Sequence, residues 1–140
     1  MAYLNLIFVS SLLNEDGHDL PAILKRAALH NHSGTVRSML LFSAGNVMQA
    51  VDGEESEVRS EWRRLLHCDD YRDSIMLNEE EVEGPSLVHN SLGARHLLPA
   101  LVEMLPDNVA FFSLSESAVA QRVRLGIARN LLRQFAADYS

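Results

Sequence analysis

Gln49 is the residue of this 140-residue chain whose chemistry conflicts most with its surroundings. It lies in the apolar run 47–51, between Met48 and Ala50. A primary amide carries two N–H donors and an acceptor oxygen, and these need partners when the side chain is buried. Because a strand points alternate side chains to opposite faces, two interpretations are open. Gln49 either faces solvent, or meets a polar group beneath the sheet.

A second group of polar side chains, His30, Asn31 and His32, falls where a predicted first helix ends. An asparagine at a helix end is most often a cap. The spacing of the histidines matches no zinc template, so we predict no metal site.

Three arginines, Arg59, Arg63 and Arg64, lie on the polar side of a predicted second helix. They are typical of a solvated face that pairs with Glu55 and Glu61, and contact of Arg64 with a phosphate is the less common alternative. The sequence has no glycine-rich phosphate loop and no nucleophile elbow, and we therefore do not predict an enzyme.

The elements that position these residues follow from the apolar periodicity. Pro21 fits the first turn of a helix that Asp19 caps. In chain order we predict strand 3–9, a helix over 20–28, strands 39–42 and 47–51 joined by a turn at 43–46, helix 54–67, and strands 74–77 and 87–92 separated by an acidic turn. The order β-α-β-β-α-β-β predicts an α+β, ferredoxin-like sandwich with two helices on one sheet face. The cleft between those helices is the natural ligand site.

The last third of the chain is predicted to be helical. A short helix covers 97–105, and Ser113 and Glu116 form a capping box for one long final helix. Its apolar stripe comprises Val119, Val123, Ile127, Leu131 and Phe135. So broad a stripe must cover either the open face of the sheet or a partner subunit.

Composition limits the class of function. The formal net charge is −7 and Lys25 is the only lysine, which argues against nucleic-acid binding. No apolar run is long enough to cross a membrane, and the N-terminus lacks the basic lead-in and cleavage pattern of a signal peptide. The single cysteine, Cys68, excludes an intramolecular disulfide and fits a cytoplasmic location.

Four segments together resemble the BLUF family, the sensors of blue light using flavin. They are LIFVSS in the first strand, LHN at the end of the first helix, LLFSAGNVMQAVDG in the hairpin and DYRD after the second helix. The resemblance implies a flavin-sensor domain over 1–93. Residues 94–140 would then be a C-terminal helical extension of the same domain, packed on the other sheet face.

The resemblance also implies FAD between the two helices. Gln49 and Asn31 match residues that contact or adjoin the flavin ring, and His30 falls where members place a polar residue against the isoalloxazine. Arg64 matches an arginine that some members use near the phosphates. Phe8 stands at the position of the photoactive tyrosine and has no hydroxyl, so we expect the usual light reaction to fail or to follow another route.

Other positions also depart from the family pattern. Asp52 replaces the hairpin glutamate, Asp73 the turn histidine, and Asn90 and Leu92 a tryptophan and a methionine. Arg37, in place of a small polar residue, is expected at a sheet edge or in a pair, with its charge within or beside the cofactor space.

Two hypotheses about function follow. In the first, a flavin-binding sensory domain passes a change at Gln49 through the sheet to the C-terminal helices and to a separate effector protein, as a homo-oligomer. In the second, a flavin-free domain of the same shape serves as an oligomerisation or partner-binding module.

Overall fold

The computed structural model describes residues 3–12, 36–43, 45–68, 71–87, 91–94, 110–124 and 126–139. The predicted first helix, with His30 and Asn31, lies outside the described residues, as do Asn90 and the predicted helix 97–105. Within the described residues no helix is long and apolar enough to cross a bilayer.

Six strands and three helices make up the described chain. They are β1 (Tyr3–Leu12), β2 (Arg37–Ser43), β3 (Asn46–Glu54), α1 (Glu55–Leu66), β4 (Tyr71–Val82), β5 (Ser91–Ala94), β6 (Ala110–Ser113), α2 (Glu116–Ala120) and α3 (Ile127–Tyr139). The predicted first strand, central hairpin and helix 54–67 are confirmed. Gly45 turns the hairpin with φ of 82°, a conformation that glycine adopts without steric cost.

The strands form one mixed sheet in the order β4-β1-β3-β2-β5-β6. β1 runs antiparallel to β3 and β4, and β2 is antiparallel to β3 but parallel to β5. The apolar strands β1, β2 and β3 therefore occupy the centre, where each has two neighbours. This is the predicted α+β, ferredoxin-like arrangement.

Each sheet face has its own core, because successive side chains of a strand point to opposite sides. On the side of α1, which we call the α1 face, the buried cluster comprises Leu4, Leu6, Phe8, Val51, Val58 and Leu65. On the opposite side, the α3 face, Ile7, Met39, Leu41, Met48 and Ala50 share a cluster with residues of α3, including Leu132, Phe135 and Ala136. The C-terminal helices thus cover the second face, as predicted.

The later strands differ from the prediction. The acidic run is not a turn but part of β4, which continues to Val82. This strand is at the sheet edge, where exposure alternates along the acidic run: Glu79 and Glu81 are exposed and Glu80 is half-buried. Of the predicted strand 87–92, Ser91 and Leu92 lie in β5, whereas Leu87 forms an isolated bridge with Val123. β6 was not predicted.

The predicted single final helix is also wrong. Ser115, and not Ser113, caps α2, because its hydroxyl accepts the backbone N–H of Ala118 at 3.1 Å. The helical path then stops, and α3 starts after Gly126. Val123 lies in this break and pairs with Leu87 as an isolated bridge, so the predicted stripe is not one continuous helix face.

Candidate functional site

Gln49 lies on the α1 face of the sheet. Its direct partner across β1 is Phe8, and Val51, two residues along β3, packs in the same cluster. The side chain is only 3% exposed, and its Nε2 donates to the buried Ser38 Oγ at 3.1 Å. The solvent-facing interpretation is therefore wrong. The amide is held under the sheet by a hydroxyl on the adjacent strand, and this contact with Ser38 is one that the sequence alone did not reveal.

Phe8 borders Gln49 with hydrocarbon instead of a hydroxyl. The side chain is 1% exposed, and its ring centroid is 5.1 Å from that of Trp62 on α1, with the planes tilted by 50°. Such tilted contacts between aromatic rings are favourable. Phe8 therefore contributes packing to the α1 face but neither donates nor accepts a hydrogen bond there.

The arginines of α1 are paired with carboxylates. Arg64 Nη2 donates to Glu61 Oε1 at 2.7 Å, and Arg59 donates to Glu55 at 3.0 Å. Arg59 also reaches Glu79 of β4 at 2.8 Å, and this hydrogen bond lowers the pKa of Glu79. The predicted helix-face pairing is thus confirmed for Arg59 and Arg64. Phosphate contact by Arg64 stays a prediction.

Arg37 and Asp52 form a polar site on the α3 face. They are paired in register across β2 and β3, one position out of phase with Ser38 and Val51. Strand alternation consequently directs Arg37 to the sheet face opposite Gln49, which does not support the expectation that its charge enters or borders the cofactor space. The expectation that Arg37 is paired is met, because its Nη1 donates to the carbonyl oxygen of Leu87 at 2.9 Å.

Burial raises the pKa of the Asp52 carboxyl. The backbone N–H groups of Leu87 and Ser86, the Asn5 amide and the charge of Arg37 oppose this shift without cancelling it. Asn5 is fully buried beside Asp52 in the register, although its amide has no hydrogen bond of ordinary geometry among the described residues.

A groove of about 480 Å³ is lined by residues of α3 and of the strands β1, β3 and β4. Ile75, Leu77, Leu131 and Phe135 form much of its apolar wall, and two aspartates, Asp73 and Asp138, also line it. Gln49 does not line this groove, which is therefore separate from the α1-face site.

A family model described as "BLUF: Sensors of blue-light using FAD" matches residues 3–92. The chain belongs to the BLUF family. The match spans the sheet from β1 into β5 and includes both Gln49 and Phe8. BLUF domains are photosensors.

Solved structures support the BLUF fold. The structure named "BlrP1 BLUF" has 16% identity and a TM-score of 0.66, with 100% of this chain and 91% of that chain covered. Klebsiella pneumoniae BlrP1 with FMN and cyclic diGMP has 18% identity and a TM-score of 0.69, covering 97% and 35%. "BlsA ground state" has 19% identity and a TM-score of 0.52, covering 60% and 58%. At these identities the likeness shows the fold alone.

This BLUF chain spans 58% of that BlsA chain and about a third of the longer BlrP1 chains. The activities of those whole proteins are thus not assigned to it. Comparison with curated proteins finds no match.

The structure brings together only part of the predicted BLUF site. Gln49 and Phe8 are neighbours, and Ser38 joins them. Arg64 lies near the end of α1, paired with Glu61. Asn31 and His30 fall outside the described residues.

Proposed function

We propose that this BLUF chain is a flavin-binding sensory domain in which Gln49 hydrogen-bonds the edge of the FAD ring. The observation that carries the proposal is the burial of Gln49 on the α1 face, with Nε2 bonded to Ser38. A buried amide is costly unless it has a specific polar partner, and a flavin edge offers both donors and acceptors. Gln49, with Ser38 beside it, therefore offers polar groups that suit the edge of a flavin ring.

FAD would supply the absorption of blue light, and the chain would supply the groups that hold and sense the ring. Gln49 can present either a donor or an acceptor, so a rotation of its amide changes the hydrogen bond that the ring receives. Arg64, Asn31 and His30 are the further contacts that we propose, with Arg64 toward the phosphates. Its bond to Glu61 would then keep the guanidinium oriented.

Phe8 sets the limit of the photochemistry in this proposal. A phenyl ring has no proton to give, and it is a poor electron donor compared with a phenol. We therefore expect that the chain binds flavin but lacks the usual BLUF light reaction, or reaches a signalling state by another route.

The signal would leave through the C-terminal helices. Met48 and Ala50, the neighbours of Gln49 on β3, belong to the same buried cluster as Leu132 and Phe135 of α3. A displacement of β3 would thus alter the side-chain packing on the α3 face directly. We propose that the recipient is a separate effector protein in the cytoplasm and that the chain acts as a homo-oligomer.

The test is an absorption spectrum of the purified protein after incubation with FAD and removal of free FAD. We expect a bound-flavin spectrum whose band shifts in Gln49→Leu, because that change removes the hydrogen bond to the ring. Met48→Leu, a buried change on the same strand but on the other face, is the control and should leave the band unchanged. A flavin band identical in the wild type and Gln49→Leu would place the amide away from the ring.

The alternative, a flavin-free BLUF-shaped oligomerisation or partner-binding module, has one observation in its favour. Phe8 is packed against Trp62 within a hydrocarbon cluster. Protein that stays colourless in excess FAD, while retaining its oligomeric state, would support this alternative and exclude the sensor.

A further inference from the structure

Asp52 shares the strand of Gln49 but lies on the opposite face of the sheet. The two residues are three positions apart on β3, so alternation places Asp52 on the α3 face with Ala50. Asp52 is fully buried. A buried carboxylate requires hydrogen-bond donors or opposite charge, so its partners show what it holds in place.

Those partners belong to a segment 34 and 35 residues further along the chain. Asp52 Oδ2 accepts the backbone N–H of Ser86 at 2.7 Å and that of Leu87 at 3.0 Å. Arg37, opposite Asp52 on β2, donates to the carbonyl oxygen of Leu87 at 2.9 Å. Two side chains from the central hairpin thus hold Ser86 and Leu87, which we call the 86–87 segment.

The same segment is bonded on its other side to the C-terminal part of the chain. The backbone N–H of Arg124 donates to the carbonyl oxygen of Ser86 at 2.8 Å, and Leu87 forms an antiparallel bridge with Val123. Val123 and Arg124 come four and three residues before Ile127, the first residue of α3. The 86–87 segment therefore connects the strand of Gln49 with residues 123–124, which lie between α2 and α3.

This connection differs physically from the apolar packing that also joins β3 to α3. Apolar contact is non-directional and tolerates small shifts of one surface over another. Hydrogen bonds weaken steeply outside a narrow range of distance and angle, and those to a charged acceptor are about twice as strong as neutral ones. A displacement of β3 at Asp52 must therefore carry the 86–87 segment with it or break two strong hydrogen bonds.

We propose that Asp52 is a positioning residue that couples the flavin side of β3 to the C-terminal helices through the 86–87 segment. The source of the signal rests on the proposed function, because FAD at Gln49 is what would move β3. The hydrogen bonds of the connection join protein groups only, so they can also be tested in flavin-free protein.

The first experiment measures amide hydrogen exchange by NMR in the flavin-free protein. In Asp52→Asn, which keeps the size of the side chain but removes its charge, we expect the amides of Leu87 and Arg124 to exchange about tenfold faster. The Phe8 amide in the sheet centre should not change. Glu54→Gln, on the same strand with a partly exposed side chain, is the matched control and should behave as the wild type.

The second experiment adds FAD. In the wild type and in Glu54→Gln, we expect FAD binding to change the exchange rate of the Arg124 amide. In Asp52→Asn, the flavin should still bind, with an unchanged absorption band, but the response at Arg124 should be lost. A protein that binds no FAD would refute the proposed function, and the first experiment would still decide whether Asp52 holds the segment.

Two results would overturn the coupling. In the first, the amides of Leu87 and Arg124 exchange at the wild-type rate in flavin-free Asp52→Asn. In the second, FAD binding still changes the exchange rate of the Arg124 amide in that variant. If Asp52→Asn unfolds, Arg37→Met takes its place in both experiments. This variant loosens the 86–87 segment by removing the hydrogen bond to the carbonyl oxygen of Leu87. Equal loss of protection in β1 and at Arg124 in both variants would show a general stability role and contradict selective coupling.

Discussion

Phe8 and Gln49 are direct partners across β1 and β3, and both lie buried on the α1 face. Directly opposed residues in an antiparallel pair have Cβ atoms about 4.5–5.5 Å apart. Phe8 thus adjoins the amide that we propose to hydrogen-bond the flavin. Because phenylalanine has no hydroxyl, this pair cannot supply the proton and electron that a tyrosine would.

Phe8→Tyr is predicted to create or restore the light response. The new phenol supplies a proton and an electron next to the Gln49 amide, which the phenyl ring cannot do. In flavin-loaded protein we expect a reversible red shift of the flavin band under blue light in Phe8→Tyr but not in the wild type, measured by absorption spectroscopy.

Phe112→Tyr is the control for this experiment, because Phe112 is a buried phenylalanine on the α3 face. It should bind flavin and show no red shift. A flavin-loaded Phe8→Tyr protein with no spectral change would show that Phe8 is not the only lesion.

Asp52 is predicted to make stability depend on pH in a defined direction. Since burial raises the pKa of Asp52 in the folded state, the native protein holds this proton to higher pH than the unfolded chain does. The stabilisation from proton binding is complete below the ordinary aspartate pKa and is lost as the pH rises through the raised value. Urea unfolding at several pH values should show the stability of the wild type relative to Asp52→Asn falling across that window. A relative stability that instead increases with pH would mean that the hydrogen bonds lower the pKa.

Gly93→Ala is predicted to destabilise the sheet. A Cβ at this position would lie 2.5 Å from the Phe112 ring and 3.0 Å from Leu41, so the α3-face core would have to move. Overpacking of this kind costs about 1–3 kcal/mol. Gly84→Ala is the control, since its Cβ would meet no atom within 4 Å among the described residues, and a loss as large as that of Gly93→Ala would contradict this account. Chemical denaturation measures both.

Val123→Asp and Ile127→Asp are predicted to have different effects, although both residues belong to the stripe predicted from the sequence. Val123 is 4% exposed, and a buried charge there should lower the free energy of unfolding by about 3 kcal/mol or more. Ile127 is 50% exposed at the start of α3, where a negative charge is favourable, so the fold should be retained within about 0.5 kcal/mol.

Ile127→Asp then tests assembly without loss of the fold. If exposed Ile127 contributes to contacts between copies of the chain, size-exclusion chromatography should show a smaller species for this variant. An unchanged oligomer would exclude Ile127 from the contact.

Local pattern was enough to predict the central part of this protein. The hairpin, helix 54–67 and the first strand follow from the spacing of apolar residues within a few positions, and the polar Gln49 within an apolar run marked a candidate site residue. Periodicity also defines two faces for each strand. It does not say which helix covers which face, and for that reason Gln49 remained open between solvent and core.

The tertiary structure decided what depends on residues far apart in the chain. Three contacts depend on neighbouring strands or on segments tens of residues away. They are Ser38 with Gln49, Asp52 with the 86–87 segment, and Val123 with Leu87. The continuous stripe of the C-terminal region suggested one helix, but the bridge between Val123 and Leu87 competes with the helical hydrogen bonds and divides it. Hydrogen bonds between distant segments leave no period in the local sequence, so only the assembled sheet could show them.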